Sequence, residues 1–173
     1  MKRAKKPNPK RTDSKSLARS IRLAVFDFDG VFTDNRVLTL QDGTEGVFCC
    51  RSDGFGIKKL QEAGIESLVI STEVNPVVGV RCRKLNLPYI QGCENKLTAL
   101  KAEAQRLNIT LEQVAFLGND TNDMECLKAV GFPACVADSH PDIFKLAKYI
   151  TKIKGGKGAV REFCDLLLEG ENE

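Results

Sequence analysis

Residues 21–34, Ile-Arg-Leu-Ala-Val-Phe-Asp-Phe-Asp-Gly-Val-Phe-Thr-Asp, constrain the fold more than any other stretch of the chain. Leu23 to Phe26 make a short apolar run that stops at Asp and Gly, the pattern of a buried strand. Asp27 and Asp29 stand where that strand ends, and Gly30 lets the backbone turn tightly. Acids at i and i+2 of an extended chain point to the same side. Like charges held so close repel unless a cation or a shared proton lies between them. A hard divalent cation with oxygen ligands meets that need.

The same pattern recurs. Ile65–Ser71, Pro88–Ile90, Val114–Leu117, Ala134–Val136 and Tyr149–Ile150 read as further strands. Helices are expected over Ile57–Ala63 (capped by a left-handed Gly64), Asn75–Leu85, Lys96–Leu107, Asp123–Val130, Pro141–Ala147 and Ala159–Leu168. Thr110 and Gln113 have capping-box spacing. Arg36–Leu40 and Glu45–Cys50, joined by Gln41-Asp42-Gly43, read as a β-hairpin. Strands alternating with helices predict an α/β fold with a doubly wound, mainly parallel sheet covered on both faces. Ligands of such sheets bind beyond the carboxyl ends of the strands. Asp27 and Asp29, Ser71-Thr72-Glu73, and Gly118-Asn119-Asp120 with Asp123 all fall at such ends.

Length and composition bound the rest. A chain of 173 residues, 42% hydrophobic, is expected to form one domain with a core that needs no staples. Residues 1–20 are basic and poor in apolar side chains, so they read as a disordered or loosely docked tail. No aromatics interleave its charges, and no nucleic acid is expected as a partner. Residues 21–168 form the domain, and 169–173 an acidic tail. Seven cysteines without metal spacing suit a reducing cytoplasm. No apolar run approaches membrane-spanning length, and the N-terminus lacks the apolar segment of a secretory signal.

The clustered residues suggest phosphoryl chemistry. Mg²⁺ at Asp27, Asp29 and Asp120 would keep positions open for an anionic substrate. An aspartate can attack phosphorus, and a second can protonate the leaving oxygen and later deprotonate water. Ser71 and Lys96 could hold the remaining phosphoryl oxygens.

Phe26-Asp27-Phe28-Asp29-Gly30-Val31-Phe32-Thr33, Val69-Ile70-Ser71, Asn95-Lys96-Leu97 and Gly118-Asn119-Asp120-Thr121-Asn122-Asp123 resemble, in order, the four motifs of the haloacid dehalogenase superfamily of aspartyl phosphatases. The resemblance covers residues 20–168. It implies Asp27 as nucleophile and Asp29 as acid/base, with Asp29 lending only its backbone carbonyl to the metal. It also implies Asp120 as third ligand and Asp123 in support, with Asn119 either behind the ligands or itself a neutral ligand. No long insert follows the first or second motif, so only the hairpin stands in place of a cap domain.

Lys154-Gly155-Gly156-Lys157-Gly158-Ala159-Val160-Arg161-Glu162 resembles the ending of one capless branch. That branch holds phosphatases of 2-keto-3-deoxy sugar acid 8- and 9-phosphates and the C-terminal domain of some CMP-sialic acid synthetases. Membership implies a homotetramer in which a neighbour's Gly155, Gly156, Lys157, Gly158 and Arg161 help close the site. Ser52 before Asp53, and Glu73 with Lys84, are similar to the nonulosonate (KDN) 9-phosphate enzymes. The octulosonate (KDO) 8-phosphate enzymes usually have Arg before that Asp and Arg at the position of Glu73. The leading expectation is therefore a Mg²⁺-dependent KDN 9-phosphate phosphatase that binds substrate through Thr33, Ser52, Asp53, Glu73 and Lys84. The alternatives are a KDO 8-phosphate phosphatase and a non-catalytic tetramerisation module.

Overall fold

The computed structural model describes residues 16–169. Six strands make one parallel sheet: β1 (Leu23–Phe26), β4 (Glu66–Ile70), β5 (Tyr89–Ile90), β6 (Val114–Gly118), β7 (Phe132–Cys135) and β8 (Tyr149–Ile150). Their order is β5-β4-β1-β6-β7-β8, which places β1 at the centre. Leu23 is in register with Glu66 of β4 and with Val114 of β6. The two faces of β1 feed two cores. Ala24 and Phe26 pack on one side with α1 (Arg51–Glu62), α2 (Val77–Lys84) and α5 (Ala159–Glu169). Leu23 and Val25 pack on the other with α3 (Lys96–Arg106) and α4 (Met124–Ala129). A strand buried on both faces has no polar side to alternate, which is why its residues read as one apolar run.

Strands β2 (Thr33–Thr39) and β3 (Glu45–Cys49) form a separate two-stranded antiparallel ribbon. Its turn is the expected one. The Gly43 N–H donates to the Leu40 carbonyl at 3.0 Å, and Gly43 takes φ +83°. Near the sheet the pairing slips: Thr33 opposes Cys49, and the next pair is Val37 with Val47. The slip is a bulge between the ribbon and the end of β1, a common device beside active sites.

Three expectations are corrected. The first helix starts at Arg51, six residues before Ile57, and takes in Gly54 and Gly56. A Cβ on Gly56 would lie 3.0 Å from Cys164 Cβ and 3.1 Å from Arg161 Cα, so the glycine lets α1 and α5 cross closely. That packing outweighs glycine's low helix propensity. Residues 141–147 are not helical. Ile143 donates to the His140 carbonyl and Leu146 to that of Ile143, making successive tight turns that bury Ile143. The tail boundary at residue 20 falls too late. Leu17 packs on the core and Ala18 is buried in it. Residues 1–15 and 170–173, the greater part of the expected tails, lie outside the described residues. No helix among the described residues is long and apolar enough to cross a membrane.

Candidate active site

The end of β1 is held rigidly. The Phe28 carbonyl accepts from the N–H groups of Val31, Phe32 and Thr33. The phenylalanines that alternate with the acids anchor the turn below. Phe26 meets Phe32 edge-on at 5.7 Å, and Phe28 stacks on Phe32 at 5.9 Å. The acids of Phe-Asp-Phe-Asp are thereby left facing the strand ends. Gly30, at φ +77°, completes the turn, and a Cβ there would lie 2.0 Å from Asn119 Nδ2. The loops after β1 and β6 are therefore packed directly against each other.

Asp27 is 4% exposed and Lys96 3%. Lys96 Nζ lies 2.7 Å from Asp27 Oδ1 and 2.8 Å from Asp123 Oδ1. The second Asp123 oxygen accepts from the backbone N–H groups of Asn119 (2.8 Å) and Asp120 (3.3 Å). Asp27 Oδ1 also takes the Phe28 N–H at 2.7 Å. Burial, and then the Asp123 carboxylate, push the Asp27 pKa up to about 7 against the pull of Lys96. Burial works against the Lys96 ammonium, but its two carboxylates hold its pKa above the usual lysine value. One ammonium cannot neutralise both carboxylates, so the centre retains negative charge.

A cavity of about 220 Å³ opens on Asp27. Asp29, Ser71, Asn119 and Asp120 line it with Asp27, as expected, and Asn35, Thr72, Thr121 and Asn122 complete it. A hollow of about 660 Å³ between α1 and α5 is larger, but Lys59, Glu62, Asp165 and Glu169 line it from helices, away from the strand ends. Ser71 Oγ accepts the Glu73 N–H at 3.1 Å, leaving its own hydrogen for a ligand. Asp29 is half-buried. Burial and the nearby Glu73 carboxylate raise its pKa.

The structure does not gather every expected residue. Thr33 is buried and bonded within the β1 loop, so it does not line the cavity. Ser52 contacts Cys50 Sγ at 3.0 Å, and Asp53 accepts the Arg161 N–H at 3.1 Å under α1, away from the cavity. Lys84 is exposed at the end of α2, while Glu73 Oε1 accepts the Asn75 N–H at 2.7 Å. No ion pair joins Glu73 and Lys84 among the described residues. The Gly-rich segment lies on its own chain's loop. The Gly156 N–H donates to the Val31 carbonyl at 3.0 Å, and a Cβ on Gly155 would sit 1.8 Å from the Gly30 carbonyl oxygen. Lys157 pairs with Asp34 at 3.2 Å, and Arg161 turns along α5 to Asp165.

The oxygens offered to a metal come from mixed groups. Among the described residues, no three acidic, histidine or cysteine side chains converge closely enough to hold an ion by themselves. Asp120 Oδ1 is drawn to the Thr121 N–H at 2.7 Å, because Asp120 caps the short 3-10 turn Thr121–Asp123. Instead Asn119 Oδ1 is buried and has no hydrogen-bond partner. A buried unpaired carbonyl oxygen beside the Asp27 carboxylate, in a centre with excess negative charge, fits a hard cation with mixed oxygen ligands.

Residues 89–163 match the haloacid dehalogenase-like hydrolases. The chain is 38% identical over 161 residues to the 3-deoxy-D-manno-octulosonate 8-phosphate phosphatase KdsC of Escherichia coli strain B, covering 92% of this chain and 86% of that one. The chain belongs to the haloacid dehalogenase-like hydrolases. With this family and these relatives comes the enzyme class, a phosphoric monoester hydrolase. Among solved haloacid dehalogenase-like structures, the octulosonate 8-phosphate phosphatase of Moraxella catarrhalis superposes with a TM-score of 0.89 at 32% identity, covering 92% of each chain. That structure is a complex with magnesium ion, phosphate ion and a KDO molecule. The corresponding enzyme of Yersinia pestis gives a TM-score of 0.90 at 35% identity over 92% of this chain and 87% of that one.

Proposed function

We propose that this protein is a Mg²⁺-dependent phosphatase of 2-keto-3-deoxy sugar acids phosphorylated at the terminal carbon. The observation that carries the reading is a buried carboxylate, Asp27, held by Lys96 at 2.7 Å and opening on a polar cavity that Asp29 also lines. A Mg²⁺ ion at Asp27 and Asn119 Oδ1, with Asp120 beside them, supplies charge stabilisation for the transferring phosphoryl group. The Asp27 carboxylate attacks phosphorus and the ester bond to the sugar oxygen breaks. Asp29 gives its proton to that departing oxygen, then takes a proton from the water that hydrolyses the aspartyl-phosphate. Lys96 and the Ser71 hydroxyl bind phosphoryl oxygens where charge accumulates.

The relatives named for octulosonate 8-phosphate support that eight-carbon acid as substrate. One observation favours the nine-carbon KDN 9-phosphate instead. Position 73, two residues after Ser71, carries a carboxylate rather than an arginine, and that carboxylate is near enough to Asp29 to raise its pKa. We place the reaction in the cytoplasm, as none of the seven cysteines forms a disulfide. We also propose a homotetramer joined through the ribbon, which exposes Val37, Leu38, Leu40 and Phe48.

A phosphate-release screen over both sugar acid phosphates, with and without Mg²⁺, tests the reading. Release is expected only with Mg²⁺, and Asp27→Asn abolishes it. Preference for the 9-phosphate selects the second substrate. Turnover that survives Asp27→Asn excludes the mechanism, and no release from any substrate points to the non-catalytic module.

A further inference from the structure

Thr33 closes the first motif but does not line the cavity. Its side chain is fully buried, at 0% exposure. Its Oγ1 accepts the Gly30 N–H at 3.1 Å and the Asn35 N–H at 3.2 Å. A threonine hydroxyl has one hydrogen and two lone pairs. Both lone pairs are therefore taken by backbone donors, and the hydrogen has one direction left. It points to Asp29 Oδ1, at 3.4 Å, and no other acceptor partners it among the described residues. The distance is long for O–H···O, as catalytic contacts often are before substrate binds.

We infer that Thr33 is the positioning residue for Asp29. By donating to Oδ1 it keeps that oxygen as an acceptor and leaves Oδ2 to carry the proton given to the departing sugar oxygen. The backbone around it locks this arrangement. Asn35 holds φ +62°, rare for a residue with a side chain. The Thr33–Val37 bulge turns Asn35 back so that its N–H reaches Oγ1. The Gly156 N–H fastens Val31 from the other side. Thr33 thus acts through Asp29 and touches no substrate, and its role rests on the acid/base assignment proposed above for Asp29.

The test compares two phosphate monoesters with Mg²⁺ present, a simple alkyl phosphate and p-nitrophenyl phosphate. The nitrophenolate leaves without needing a proton, and the alkoxide does not. Thr33→Val keeps the shape and removes the O–H. It is expected to lower the alkyl-to-nitrophenyl ratio of kcat/KM, which reports phosphoryl transfer to Asp27 and not the later hydrolysis common to both esters, about 10²-fold, within the range of general-acid effects. Thr33→Ser is expected to recover the ratio to within about threefold. Thr33→Ala carries the same comparison if the valine variant does not fold, as judged by its thermal melt. An equal loss of kcat/KM on both esters, or failure of serine to recover the ratio, overturns the inference. Asp29→Asn run alongside separates the two readings. If it leaves the ratio unchanged, the acid/base assignment itself falls. If it lowers the ratio and Thr33→Val does not, only the role of Thr33 falls.

Discussion

Lys96 is the residue on which the centre turns. It is buried between two carboxylates, so its removal strands both without a counter-charge. Lys96→Met is expected to cost about 3–5 kcal/mol, the range for breaking a buried ion pair, read as a lower urea midpoint with an unchanged slope. The same variant should release no phosphate. Much at this scale was legible in the chain. Asp27, Asp29, Ser71 and Asp120 stop apolar runs, and strand ends are where parallel sheets bind ligands. The destination of Lys96 was not legible. A lysine opening a helix shows nothing in sequence of the Asp123 that awaits it 2.8 Å away. Nor does Asn119 announce that its amide oxygen will be left unpaired. That depends on Gly30 packing under its nitrogen, a contact between loops far apart in the chain.

Between elements, two joints carry predictions. Asp53 ties α1 to the start of α5 through the Arg161 N–H, with its other oxygen buried and unpartnered. Burial raises its pKa from 3.8 to about 6, against the Arg161 N–H and Arg81. The folded state therefore holds this proton more tightly than the unfolded chain. Stability contributed by the protonated form is present below about pH 4 and lost as pH rises through about 6, by up to about 3 kcal/mol. Asp53→Asn keeps an acceptor for Arg161 and should flatten that part of the stability profile, measured by denaturation across pH 4–7. If the difference between the two profiles does not change with pH, this account of Asp53 is wrong. The second joint is the Gly-rich segment against the β1 loop. Gly155→Ala forces a methyl into the Gly30 carbonyl and should cost about 3 kcal/mol, the upper end for overpacking, with kcat lowered about 10²-fold by the displaced loop. Gly43→Ala is the control: open space surrounds it, and only its φ of +83° is penalised, by about 1 kcal/mol. Periodicity located nearly every element. It failed at the start of α1 and over residues 141–147, where helix–helix crossing and an inward-drawn Ile143 overrode local preference.

For the molecule as a whole, the ribbon carries four exposed apolar side chains, Val37, Leu38, Leu40 and Phe48, that the proposed tetramer would cover. Val37 is 54% exposed and Phe48 61%. The double substitution Val37→Glu with Phe48→Glu should shift sedimentation from tetramer to smaller species while leaving the circular dichroism spectrum of the domain intact. An unchanged sedimentation coefficient would remove the ribbon from the assembly. The sheet order has a consequence in time as well as in space. Among the described residues β1 is the first strand along the chain, yet its partner β6 begins at Val114. At ordinary rates of synthesis the delay is on the order of ten seconds. Through that interval one edge of β1 lacks its strand partner. The Lys96 bridge between Asp27 and Asp123 closes only once the chain has been made as far as Asp123, so the charge centre is among the later features of the molecule to be completed.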